Sequence, residues 1–233
     1  MSDKHISSQF DAELNAISTH VLEMGGLVES QLQQALHALV HMDRDAADQV
    51  LELEPRVNQM EVYIDREIIS TISRRQPIAR DLRFLMAIAR TTQNLERAGD
   101  EVARIARMVK SILQSGSARG LPNSELRVAA DLAAGLLRKS LDAFARLDVA
   151  MAVSILKEDD RIDVEYDGFL RKLITYMMAD PRTISAGMDL LFLAKAIERV
   201  GDHAKNIAEQ IVFVVKGEDI RHKPADQVDA VTR

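Results

Sequence analysis

The sequence predicts an all-α protein made of two tandem homologous three-helix bundles, six long helices in all. Three observations predict it: a helix former's composition, apolar residues spaced by threes and fours, and one stretch that occurs twice. Only 10 of the 233 residues are Gly and 5 are Pro, aromatics amount to 4%, and Ala, Leu, Arg, Glu and Met recur throughout. From Leu85, the positions Ile88, Thr92, Leu95, Gly99, Val102, Ala106, Val109 and Leu113 advance by steps of three and four, the seam of a left-handed helix bundle. The run Gly187, Leu190, Ala194, Ile197, Gly201, Ala204, Ala208, Ile211 and Val215 repeats it.

The first helix carries a matching seam through Leu14, Ile17, Val21, Met24, Val28 and Leu32. Gly25-Gly26 interrupts it at a cost of about 2 kcal/mol if both stay helical, which either close packing or a hinge explains. Asp43 suits the N-cap of a second helix, within which Pro55 should kink the chain by removing a backbone donor. Gln76-Pro77 ends that helix and starts the third. The stretch SGSARGLPNS at 115–124 then reads as a turn or linker. Asp148 and Asp180-Pro181 punctuate the second half in matching places. The expected organisation is a first repeat over 1–115, a linker over 116–123, a second repeat over 124–216 and a flexible polar tail over 217–233.

Composition narrows the function. With 30 Lys plus Arg against 36 Asp plus Glu, the formal charge is −6, unlike that of a general nucleic-acid binder. Hydrophobic residues at 47% and charged residues at 28% suit a chain that buries a core. Zero cysteines exclude disulfides, thiolate zinc sites, iron–sulfur ligation and cysteine nucleophiles. Any metal must sit on oxygen or imidazole. Acidic residues where a secretory signal needs an apolar run, and no run of roughly 18 apolar residues, lead to the expectation of a soluble cytoplasmic protein.

LERAGDEVARIA at 95–106 reappears as IERVGDHAKNIA at 197–208, at a constant offset of 102 residues, from Gly99 to Gly201 and from Asp100 to Asp202. A duplication is the simplest account. Each copy sets two carboxylates four apart, Glu96 with Asp100 and Glu198 with Asp202, which repel by a few tenths of a kcal/mol on a helix face. Counting back through the hairpins brings Glu54 and Asn58 beside the first pair, and Asp159 and Asp163 beside the second. Four converging carboxylates make a hard, oxygen-rich site for a divalent cation such as magnesium, manganese or iron. Ordinary surface ion pairs are the competing account, with Arg97 reaching Asp100 or Glu101 and Arg199 reaching Asp202.

The segments Arg75-Gln76-Pro77-Ile78-Ala79-Arg80-Asp81-Leu82-Arg83, Leu95-Glu96-Arg97-Ala98-Gly99-Asp100 and Ile197-Glu198-Arg199-Val200-Gly201-Asp202-His203 resemble, in order and spacing, the signature of the PhoU family. So do His5-Ile6-Ser7-Ser8-Gln9-Phe10 and Tyr176-Met177-Met178. The resemblance implies a cytoplasmic, non-enzymatic negative regulator of the phosphate-starvation response. Such a protein couples the ATPase subunit of a phosphate-import ABC transporter to a sensor histidine kinase, reaches the membrane through these partners, and forms a homodimer. It also implies metal at Glu96, Asp100, Asp159, Asp163, Glu198 and Asp202, while Glu54 with Asn58 departs from the family pattern.

The alternative is a carboxylate-bridged metal-dependent enzyme in a helical bundle. It is weakened because such sites use Glu-x-x-His and no Glu here lies three residues before a His. No Gly-rich phosphate loop is present either. His37 and His41, at i and i+4, suit a metal or a solvated face, and His203 suits a further ligand or a surface position. Arg74, Arg75, Arg80 and Arg83 suit an acidic partner or the C-terminal end of the second helix. Met24, Met86, Met108, Met177 and Met178 are expected to fill core gaps.

Overall fold

The computed structural model describes residues 8–115 and 124–221, together with Lys223, Val228 and Val231. The first bundle comprises α1 (Ser8–His41), α2 (Arg44–Arg75) and α3 (Ala79–Ser115). The second comprises α4 (Ser124–Arg146), α5 (Val149–Glu158), α6 (Asp160–Ala179) and α7 (Ile184–Lys216), with a single 3₁₀ turn, Pro181–Thr183, before α7. The stretch expected to be a linker, 116–123, lies outside the described residues.

The hairpins are built alike in both halves. Met42 and Leu147 take left-handed φ values of 51° and 50°, which lets the next amide turn back on the finished helix. Asp43 N–H donates to Ala38 O at 3.0 Å, and Asp148 N–H donates to Ala143 O at 2.9 Å, the bond that closes a helix end. The same aspartates then open the following helices, accepting from Asp45 N and Ala46 N at 3.0 and 3.1 Å and from Met151 N at 3.0 Å. Their spacing aligns the repeats: Glu54 corresponds to Asp159, Pro55 to Asp160 and Asn58 to Asp163.

At this matched place the two halves differ. The helix runs unbroken through Pro55 in α2, whereas its counterpart divides at Asp159 into α5 and α6. There Ile162 N donates to Asp159 O at 2.9 Å, a tighter i→i+3 bond replacing the helical one.

The sequence-derived seams are buried: Leu85, Ile88, Leu95, Val102, Ala106 and Val109 are fully enclosed, as are Val21, Met24 and Val28. Gly25 is explained by close packing, since a Cβ there would stand 2.3 Å from Leu141 Cδ2 of α4, while Gly26 faces open space. Two methionines depart from expectation: Met86 and Met178 are 42% and 80% exposed, because they fall on the outer faces of α3 and α6. Arg74 and Arg75 both pair with Glu13 of α1, at 3.6 and 2.6 Å, so their charge is spent inside the chain. Of the expected flexible tail, Ile220 and Val228 are buried against the core; a polar composition concealed two docking side chains.

A second buried stripe on α3, through Thr91, Ala98, Ile105 and Ile112, meets Leu193, Val200, Ile207 and Val214 of α7. Arg90 meets Gln210 at 3.3 Å, Asn94 meets Asn206 at 3.1 Å, Glu101 meets Arg199 at 3.0 Å and Ser111 meets Asp189 at 2.7 Å. Rising numbers on α3 face falling numbers on α7, so the helices are antiparallel and Gly99 lies level with Gly201. The two repeats are thereby joined about a local two-fold axis.

Candidate functional site: two acidic ledges and the cavity between them

In the second half, Asp159 sits at the break between α5 and α6, Asp163 one turn on, and Glu198 and Asp202 on the facing side of α7. Gly201 permits this approach, since its missing Cβ would stand 2.5 Å from Ile162 Cδ1 and 3.5 Å from Asp159 Oδ1. Asp159 is buried and accepts a hydrogen bond from Lys205 Nζ at 2.7 Å. Lys195 Nζ stands 2.5 Å from Glu198 Oε2 and lies over the Tyr166 ring, yet that oxygen is buried without hydrogen-bond geometry to any partner.

Asp163 and Asp202 make no hydrogen bond or ion pair among the described residues. Burial, then the charges of Glu198, Asp159 and Asp163, push the Asp202 carboxyl up to about 6 against the pull of Lys195. Burial, Asp159 and Glu198 raise Asp163 as well.

In the first half, burial and the charges of Asp100, Glu61 and Glu54 raise Glu96. Glu54 is also paired with Arg107 at 3.2 Å. Asn58 is exposed and makes no polar contact among the described residues. The structure adds two carboxylates, Glu61 and Asp65, to those expected from the motif spacing. Glu61 is raised by burial, Asp65 and Asp100, and Asp65 is raised by burial. Their signal was present, because 54, 58, 61 and 65 continue one helix stripe. At the position matching Glu61 the second repeat has Tyr166, so the ledges are not identical.

Between the ledges lies an open groove of about 640 Å³ on the local two-fold axis, with Arg97, Asp100, Arg104 and Arg199 exposed along it. Equivalent residues of the two motif copies face it: Arg97 and Arg199, Asp100 and Asp202, Glu101 and His203. Arg199 does not reach Asp202 as the surface-pair account expected; it donates across the seam to Glu101 Oε1 at 3.0 Å, and Arg104 stands 3.1 Å from Glu101 Oε2. Arg97 makes no ion pair or hydrogen bond among the described residues. Burial, with Arg97 and Arg199 nearby, pushes the His203 imidazole down to about 4, so it is neutral at pH 7; its Nδ1 lies 3.1 Å from Asn94 Oδ1. His37 and His41 are exposed, with ring centroids 4.4 Å apart.

The oxygen-only donor set, with Asp163 and Asp202 unpaired among the described residues, suits a hard cation. Among the described residues no three His, Asp or Glu side chains already converge on one point, so binding requires carboxylates to rotate inward.

Fold and site together define a duplicated helical-bundle protein with an acidic ledge in each repeat. The chain belongs to the PhoU family: the model of the PhoU domain matches residues 21–109 and again 126–211. It is 45% identical over 229 residues to a phosphate-specific transport system accessory protein PhoU homolog of Burkholderia sp, covering 98% of this chain and 97% of that one. It is 45% identical over 228 residues to the phosphate-specific transport system accessory protein PhoU of Escherichia coli (strain K12), covering 97% and 93%. The crystal structure of PhoU from Pseudomonas aeruginosa superposes with a TM-score of 0.87 at 41% identity, over 90% of this chain and all of that one. That of the phosphate transport system regulatory protein PhoU from Streptococcus pneumoniae gives 0.83 at 29%, over 90% and 98%. This is a family of accessory proteins, not enzymes, and the carboxylate-bridged enzyme alternative is set aside. No helix among the described residues is both long and apolar enough to cross a membrane.

Proposed function

We propose that this chain is a cytoplasmic negative regulator of the phosphate-starvation response and a modulator of phosphate uptake. It acts as a homodimeric adaptor between the ATPase subunit of a phosphate ABC transporter and a sensor histidine kinase, and meets the membrane through them. The observation that carries this is kinship along nearly the whole chain with accessory proteins of the phosphate-specific transport system. An adaptor regulates only through different affinities for its partners' alternative states, and helix faces and grooves are sufficient for that.

A divalent cation, magnesium, manganese or iron, fits the ledges. Asp159, Asp163, Glu198 and Asp202 would hold it in the second repeat, and Glu54, Glu61, Asp65, Glu96 and Asp100 are the donors available in the first. When bound, the ion supplies positive charge that relieves the repulsion among these carboxylates. Asp159 and Asp163 belong to the broken α5–α6 rod, and Glu198 and Asp202 to α7. These residues therefore set the spacing of two helices, and their mutual repulsion is what a bound cation or a partner's cationic group changes.

The test is complementation. In cells lacking their own accessory protein, this chain should repress a phosphate-starvation reporter in high phosphate and co-purify with the transporter's ATPase subunit. A reporter that stays active, with the protein expressed and folded, refutes the regulatory assignment. Manganese titrated into chelator-treated protein tests the ledges separately: no heat, and no difference for Asp202→Asn, refutes cation binding there.

A further inference from the structure

We propose that the groove on the local two-fold axis binds a magnesium-complexed inorganic phosphate chain, with phosphate oxygens on Arg97 and Arg199 and the cation on Asp100 and Asp202. The cation half rests on the ledge assignment above, since Asp100 and Asp202 are the one carboxylate of each ledge that also lines this groove; the phosphate half does not.

Two equivalent pairs face each other across the axis, Arg97 with Arg199 and Asp100 with Asp202, and Glu101, Arg104, Lys205, Glu209 and Arg221 add further charges of both signs to the wall. A bare anion would meet Asp100 and Asp202, and a bare cation would meet Arg97 and Arg199. A ligand carrying both charges satisfies both pairs, and magnesium is commonly held by one or two carboxylates together with ligand phosphates. Guanidinium is the side chain best matched to phosphate oxygens. Arg97 is exposed and has no hydrogen bond or ion pair of its own among the described residues, so its guanidinium is open to a ligand. Arg199 shares the Glu101 carboxylate with Arg104, so it keeps donors free.

Size and polarity narrow the ligand. A volume of about 640 Å³ falls in the range of small-molecule sites, beyond the need of a single orthophosphate. Every lining side chain is charged or polar, and His203 supplies the one ring in the wall. A nucleotide's base would meet no apolar side chain here, only the His203 ring and guanidinium planes, whereas pyrophosphate or tripolyphosphate is hydrophilic throughout.

The test is calorimetric titration of the full-length protein with pyrophosphate and tripolyphosphate, in magnesium and in chelator, with orthophosphate and ATP as further arms. Binding in magnesium is expected to weaken at least about tenfold in chelator, and at least about tenfold in Arg97→Gln and in Arg199→Gln, the loss typical of one charge-assisted hydrogen bond. Arg138→Gln, outside the groove, should leave it unchanged. Should the arginine variants misfold, phenylglyoxal labelling of the wild type replaces them: magnesium pyrophosphate should protect Arg97 and Arg199. Absence of binding, equal binding without magnesium, or indifference to both arginines by either readout overturns the proposal, as does ATP binding tenfold tighter than tripolyphosphate. Manganese binding with no phosphate effect would leave the ledge assignment standing while removing this one.

Discussion

Asp202→Asn should stabilise the cation-free protein above neutral pH. The Asp202 carboxyl rises from 3.8 to about 6, first through burial and then through the neighbouring carboxylates, which corresponds to at most about 3 kcal/mol. Because the side chain is half-buried, solvent screening reduces this to about 1.5 kcal/mol. The sign follows from proton binding: the folded state holds the proton more tightly than the unfolded state. The cost is therefore absent below about pH 3.8, grows as the pH rises, and is complete above about 6. Asparagine removes the charge at nearly constant shape, so at pH 8 the variant should melt about 3–6 °C higher than the parent. The gain should shrink towards zero near pH 4. Urea unfolding of both proteins at the two pH values, in chelator, measures it. A variant less stable than the parent at pH 8, or an equal difference at both pH values, refutes the claim that the ledge stores repulsion.

Three further outcomes follow from local geometry. Glu209, buried on α7, is pushed up to about 7, chiefly by burial, so its contribution should be lost as the pH rises from 4.5 through about 7; Glu209→Gln should flatten that slope, by up to about 3 kcal/mol in unfolding titrations. Gly26→Ala should stabilise α1 by up to about 1 kcal/mol, whereas Gly25→Ala meets Leu141 and should fall at least about 1 kcal/mol below it; the reverse order in thermal melts would count against the α1–α4 packing. Asp148→Ala removes the cap on Met151 N and should cost about 1 kcal/mol in urea, and no change would mean that the cap contributes nothing.

The elements were legible because their signals are local. A capping aspartate needs only the next three residues, and the seam from Leu85 to Val109 needs only its own helix. The second-half ledge followed from counting back through one hairpin. Glu61 and Asp65 were within reach of the same count but one and two turns further along the stripe. What joins the repeats was harder to read. Glu101 looks like any exposed helix glutamate until α7 covers it, and nothing local to Arg199 says that its partner belongs to the other repeat. The break at Asp159 was equally hidden, because aspartate is tolerated inside a helix, while Pro55, the stronger local signal, left its helix intact.

The antiparallel pairing of α3 with α7 has an evolutionary reading. A polypeptide holding one copy alone would present the same face of its third helix, and two such polypeptides could meet isologously, each lending the other the same patch. Fusing them into one strand released the mates from having to be identical. Glu101 and His203, which occupy matching places, have become an anion and a neutral ring, and the glutamate now ties an arginine from each half.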